Sequence, residues 1–237
     1  MKILAAFTCF ESPYHGVMGI ARWLQYYLPH LETLGADEVW LINDGPFVPP
    51  DYVLNSGSTL KVIALSPRLG RPSIHVLPGY YRSFIELMRR AAERQAESVT
   101  FVEWDYFIMS QRLMEWLGEQ ATTTTRALTL WTEHYGMPEI GINIVPRNQY
   151  EAVIAAFAKI DHSVSSEAQQ PELIFPWQVY KNFIGDRYPE WGAFPPDDAD
   201  WIANLPLGNI VEFGTRKITS LPALGTPARF QYQGLQA

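Results

Sequence analysis

The period of the hydrophobic positions changes along this chain, and each change marks an element. Residues 2–10 form a near-continuous apolar run without helical start or stop signals, which predicts a buried strand. From Gly16 the spacing turns to threes and fours. Val17, Ile20, Ala21, Leu24, Tyr27, Leu28, Leu31 and Leu34 share a helical face, Pro29 kinks or splits it, and Gly35 ends it. Residues 38–45 predict a second strand closing in a turn, and residues 60–65 a third. An amphipathic helix is predicted from Gly79 to Glu97, its apolar stripe made by Tyr80, Phe84, Leu87, Met88 and Ala91. A strand follows from Val99. Ser110 then N-caps a helix through Leu113, Met114 and Leu117, ended by Gly118. Residues 127–131 and 140–145 read as strands, and 148–160 and 177–183 as helices. From Pro195 onward Pro and Gly recur and the periodicity fades, as expected of a tail that wraps the domain or forms a lid. The alternation predicts an α/β fold: one domain over 1–237, a mostly parallel sheet flanked by helices with right-handed crossovers, and a less regular C-terminal half.

Open sheets of this kind bind ligands beyond the carboxyl ends of their strands. Asp44 and the pair Glu103 and Asp105 fall at such ends, and the loop from Thr8 to His15 faces the same crevice. Glu103 and Asp105 lie at i and i+2, so an extended backbone places both carboxylates on one side. Paired negative charge there calls for a neutralising cation or for protonation of one acid. Hard carboxylate oxygens suit Mg²⁺ or Mn²⁺ bridging to phosphates. Arg68, Arg71 and Arg82 are candidate phosphate partners, since a guanidinium matches phosphate oxygens in bidentate fashion.

Composition narrows the field. The chain has 237 residues, 47% hydrophobic, with net charge −7. An acidic chain argues against nucleic acid as the main partner. The single cysteine, Cys9, excludes an internal disulfide and fits a reducing, cytoplasmic setting. The apolar run at Ile3–Phe7 is too short and soon meets Glu11, so it reads as a strand and not as a signal peptide. No window reaches 18 apolar residues, and no transmembrane segment is expected. The aromatic residues, 14% of the chain, serve mostly as core.

With Ile42-Asn43-Asp44-Gly45 at the end of the second strand and Glu103-Trp104-Asp105 at the end of a later one, residues 2–120 resemble glycosyltransferases of the GT-A type, which use nucleotide-diphosphate sugars. The resemblance implies a Rossmann-like nucleotide-sugar-binding half at 1–120 and an acceptor-side half at 121–237. It implies a UDP-sugar donor bridged by Mn²⁺ or Mg²⁺, and a carbohydrate or lipid-linked acceptor. Thr8 and Phe10 then line the base pocket, Asp44 lies near base or ribose, and Glu103, Trp104 and Asp105 stand where the family has Asp-X-Asp, with Glu in the first place. Asp105 and Glu103 become metal ligands, and a third ligand is often a histidine from the second half. His162 is the leading candidate, and His134 a second. An inverting transferase also needs a base for the acceptor hydroxyl. Glu133, Glu139 and Glu172 are candidates; Glu139 is favoured because Pro138-Glu139 precedes a strand and is expected in an exposed turn. Trp131, Trp177 and Trp191 are candidate platforms for an acceptor sugar. A sugar nucleotidyltransferase ranks lower, because Phe10-Glu11-Ser12-Pro13-Tyr14 lacks a Gly-rich basic phosphate loop. A non-catalytic nucleotide-binding or scaffold protein is the remaining alternative.

Overall fold

The computed structural model describes residues 1–8, 18–45, 59–72, 76–132, 135–161, 170–184, 187–188, 202–204, 211–213, 216–218 and 232–234. Along the chain these form β1 (Lys2–Thr8), α1 (Met18–Tyr27), β2 (Glu38–Asp44), β3 (Leu60–Leu65), α2 (Pro78–Glu93), β4 (Ser98–Val102), β5 (Tyr106–Ile108) and α3 (Gln111–Thr123). After them come β6 (Leu128–Thr132), β7 (Met137–Pro146), α4 (Tyr150–Phe157), α5 (Pro171–Ile174) and β8 (Gln178–Ile184). The short strands β9 (Arg187–Tyr188), β10 (Ile202–Asn204), β11 (Val211–Phe213), β12 (Arg216–Ile218) and β13 (Tyr232–Gly234) complete the described elements.

The main sheet has seven strands in the order β3-β2-β1-β4-β7-β6-β8. All are parallel except β7, which runs against both of its neighbours, β4 and β6. The expected mostly parallel α/β sheet is therefore present, and strands from both halves of the chain share it.

Strand alternation divides the core. Leu4, Ala6, Val39, Leu41 and Val102 face α1 and α3, meeting Trp23, Tyr27, Leu113 and Leu117. Ile3, Ala5, Trp40, Ile42, Val99 and Phe101 face α2 and α4, meeting Phe84, Leu87, Val153 and Phe157. Because both faces are covered, the strands read as unbroken hydrophobic runs and not as alternating ones.

Several predicted boundaries move, each for a physical reason. The first helix stops at Tyr27, and Leu28–His30 forms a 3-10 turn with Pro29 near its start. Gly118 does not end α3, which runs on to Thr123. A Cβ at Gly118 would lie 2.0 Å from the Thr33 carbonyl oxygen, so this glycine permits a close approach between segments. The predicted helix over 177–183 is instead the strand β8, paired in parallel with β6. Val179 and Tyr180 suit a pleated surface, and the free edge of β6 supplies hydrogen bonds a lone short helix lacks. Part of the tail returns to the core: β10 pairs antiparallel with β5, and Ile202 is buried. No described helix is long and apolar enough to cross a membrane.

Candidate functional site

The carboxyl ends of β1, β2 and β4 lie side by side. Register places Thr8 opposite Asn43 and Ala5 opposite Phe101. Since β7 is antiparallel to β4, with Val102 opposite Ile142, its first residues, Met137–Glu139, reach this same edge. Thr8, Asn43 and Asp44 are buried there. The Thr8 hydroxyl oxygen is covered and has no hydrogen-bond partner among the described residues.

Asp44 holds the neighbouring loop. Its carboxylate accepts from the backbone N–H groups of Leu69 (3.3 Å) and Gly70 (2.7 Å) and forms an ion pair with the Arg82 guanidinium. Arg82 also donates to the Pro67 carbonyl at 2.6 Å. A Cβ at Gly79 would stand 2.1 Å from Asp44 Oδ2, so the first turn of α2 closes on the carboxylate only because that residue is glycine. Arg82, expected as a phosphate partner, spends two of its nitrogens on this latch. Arg68 and Arg71 lie exposed on the latched loop.

The Glu103-Trp104-Asp105 segment is not extended, which corrects the expected geometry. β4 ends at Val102, and residues 103–106 close in a turn in which Tyr106 N–H donates to the Glu103 carbonyl at 3.0 Å. The carboxylates consequently have different surroundings. Asp105 acts electrostatically on Arg22 of α1, whose pKa falls to about 10 through burial, opposed by the Asp105 charge. Glu103 acts on Tyr80 of α2. Trp104 packs on the first turn of α1, where a Cβ at Gly19 would be 2.1 Å from its ring. Its indole is half-buried core at this end of the sheet. Two phenols of α1 fix the strand that follows. Tyr26 donates to the Ile108 carbonyl at 2.7 Å. Tyr27 donates to the Tyr106 carbonyl at 3.1 Å and accepts from Ile108 N–H at 3.0 Å.

Glu139 is not in an exposed turn. It lies inside β7 and is 6% exposed. The register of β6 against β7 jumps from Thr129 opposite Asn143 to Leu130 opposite Glu139, so β7 bulges over the residues between. The Thr129 hydroxyl bonds the carbonyls of Glu139 and Ile142, and the Asn143 amide donates to Ile140 at 2.7 Å. The Glu139 carboxylate accepts from Gly141 N–H at 2.9 Å. Longer contacts reach it from Tyr106 Oη and Thr132 Oγ1, both at 3.4 Å. Such bulges often sit beside active sites.

The structure thus gathers Thr8, Asp44, Arg82, Glu103, Trp104, Asp105 and Glu139 along one sheet edge, and the charge of Glu172 in α5 acts on Tyr80. Trp177 is buried in the core, and Lys181 sits 3.9 Å above the Trp131 ring. His30 lies past the far end of α1, against Tyr26. Cys9, Phe10, His15, His75, Glu133, His134, His162 and Trp191 lie outside the described residues. Glu103 and Asp105 fit a hard divalent cation in kind; among the described residues no group of three metal-ligating side chains converges. Arg22 and Tyr80 escaped the reading of the sequence. Arg22 is hidden among helical apolar residues, and Tyr80 was absorbed into an apolar stripe although it carries a hydroxyl at the helix end nearest this edge.

No protein-family model matches the chain, and no curated protein matches it. Solved structures do. A glycosyltransferase involved in glycosylation of the major capsid of PBCV-1 matches at TM-score 0.44 and 10% identity, covering 76% of this chain and 81% of that one. A CMP:2-keto-3-deoxy-manno-octonic acid synthetase complexed with CTP matches at TM-score 0.45 and 14% identity, covering 71% and 81%. The 4-diphosphocytidyl-2C-methyl-D-erythritol synthase of Anaerococcus prevotii matches at TM-score 0.47 and 10% identity, covering 75% and 85%.

Proposed function

We propose that this chain is a nucleotide-diphosphate-sugar glycosyltransferase, moving a sugar from a UDP-sugar to a carbohydrate or lipid-linked acceptor. The observation that carries the reading is the convergence of polar side chains at the carboxyl ends of β1, β2 and β4, joined there by the start of the antiparallel β7. That edge is where open α/β sheets take ligands. In this reading Thr8 and Phe10 flank the base. The loop bearing Arg68 and Arg71 meets the diphosphate, and Asp44 with Arg82 holds that loop in place. Asp105 and Glu103, with His162 as third ligand, would hold a Mn²⁺ or Mg²⁺ ion, which would supply positive charge for the leaving diphosphate.

Glu139 is the proposed base. Its carboxylate accepts the proton of the acceptor hydroxyl as that oxygen bonds to the sugar's anomeric carbon. The bond from that carbon to the diphosphate breaks, and its electron pair leaves with the nucleotide. Glu139→Gln is expected to abolish transfer while leaving donor binding intact.

Calorimetric titration with UDP, in Mn²⁺ and in EDTA, tests the donor site. Binding that needs Mn²⁺ and drops at least tenfold in Asp105→Ala supports the reading. Equal affinity in that variant removes Asp105 from the site, and no UDP binding in either buffer overturns the UDP-sugar assignment.

A further inference from the structure

The second half of the main sheet carries one cation that the proposed donor site does not use. β6, β7 and β8 read LTLWT, MPEIGINIVP and QVYKNFI, and Lys181 is the one basic residue among them. Pairing fixes where it stands. β6 runs antiparallel to β7 and parallel to β8, so its last residues, Trp131 and Thr132, lie at the sheet edge where β7 begins. On the β8 side the register passes from Leu130 opposite Tyr180 to Trp131 opposite Ile184, and residues 181–183 leave the ladder. β7 loops out residues 140–142 one step earlier, so both neighbours of β6 bulge near its C-terminal end. Bulges re-aim side chains, often next to active sites. Here the bulge carries Lys181 onto β6, and its ammonium nitrogen lies 3.9 Å from the centre of the Trp131 ring. Trp131 is half-buried, Lys181 is exposed, and the ammonium forms no ion pair among the described residues.

The ring attracts this charge without neutralising it. Contact with the indole also restrains a long side chain in advance, so less rotamer freedom is lost when a ligand binds. A lysine ammonium is a compact point charge with three N–H donors, and phosphate is a common ligand for it. The donor's diphosphate lies elsewhere in the reading above. β8 is at the opposite end of the sheet from β3, whose following loop bears Arg68 and Arg71. From β7, which carries Glu139, it is only two strand spacings away, about 10 Å. We propose that Lys181, held over Trp131, binds a phosphate group on the acceptor. This inference rests on the glycosyltransferase reading and adds to it the class of acceptor, a phosphate-bearing one. The phosphate belongs either to a lipid carrier or to a free sugar phosphate.

The test is calorimetric binding with UDP and Mn²⁺ held at saturation, so that the donor's phosphate site is already filled. The probes are geranyl phosphate against geraniol, and glucose 6-phosphate against glucose. Wild type is expected to bind at least one phosphate probe about tenfold more tightly than its neutral counterpart, the worth of one charge-assisted hydrogen bond. Lys181→Gln changes an exposed side chain and is expected to remove most of that preference, with melting temperature level and UDP affinity kept within about twofold. Lys181→Arg keeps a cation and is expected to hold the preference within about threefold of wild type. A preference for geranyl phosphate alone assigns a lipid-linked acceptor, and one for glucose 6-phosphate alone assigns a free sugar phosphate. Phosphate probes that bind no better than neutral ones overturn the assignment and leave the nucleotide reading standing. A preference that survives Lys181→Gln, or equal losses in the two variants, does the same. Wild type that does not bind UDP overturns the nucleotide reading and the acceptor role of Lys181 with it.

Discussion

Asp44 shows how one side chain organises this edge. It is 8% exposed, and its two oxygens serve a guanidinium and two backbone N–H groups. Gly79 makes room for it. Alanine at position 79 brings about 1 kcal/mol of helix propensity. Against this, a methyl group 2.1 Å from Asp44 Oδ2 and 2.8 Å from the Gly70 carbonyl forces the latch apart. Overpacking of this kind costs about 1–3 kcal/mol, and disturbing the partly buried Arg82–Asp44 ion pair adds to it. Gly79→Ala is therefore expected to destabilise the protein by about 2 kcal/mol net in urea unfolding. Gly136→Ala is the control. It has open space for the methyl but a φ of +62°, and its cost is about 1 kcal/mol from backbone conformation alone. Equal stability of wild type and Gly79→Ala would remove the latch from the account. The sequence displayed Asp44 and Gly45 as a strand end. It did not display the partner of Asp44, because Arg82 is 38 residues away and the contact forms only when α2 folds back over the sheet.

Among the elements, β5 needs the most outside support. It has three residues, leaves the main sheet just after the Glu103–Tyr106 turn, and pairs with β10. Tyr27 bonds both a carbonyl and an N–H of this segment, so α1 acts as a second edge for it. Tyr27→Phe keeps the ring and leaves two buried backbone groups without that partner. The expected loss is about 2–3 kcal/mol, with faster amide exchange at Ile108 than in the neighbouring β4. A loss below about 0.5 kcal/mol would show that other groups complete those peptides. The same region explains where pattern reading succeeded and where it failed. The runs at 2–8, 38–44 and 98–102 were legible because strands covered on both faces must be apolar throughout. Glu139 was misplaced because a carboxylate beside a proline reads as a turn. Its actual position depends on a bulge defined by pairing with Thr129 and Leu130, a long-range event with no local signal. The helix expected over 177–183 failed for the same reason, since β6 recruits that segment as its parallel neighbour.

At the scale of the molecule, the antiparallel β7 joins the two halves of the main sheet. It lies between β4, from the first 120 residues, and β6, from the remainder. Breaking the contact between the two halves means opening the β4–β7 ladder from Ser98 opposite Pro146 to Val102 opposite Ile142. That ladder lies in the middle of a sheet covered on both faces, so neither half retains a closed core without the other. The expected outcome is one cooperative unfolding transition, with far-ultraviolet dichroism and tryptophan fluorescence giving coincident curves. Trp23 and Trp40 report on the first half, and Trp131 and Trp177 on the second. Two separated transitions would instead make 1–120 and 121–237 independent units. The same experiment bears on function. A ligand bound at the shared edge, where Thr8, Asp105 and Glu139 come from three strands or their ends, stabilises the whole cooperative unit by about 2.7 kcal/mol at one hundred times its dissociation constant. A nucleotide seated there should move both probes together by the same amount. Two resolved transitions of which only one shifts would place the ligand on one half and remove β7 from the site.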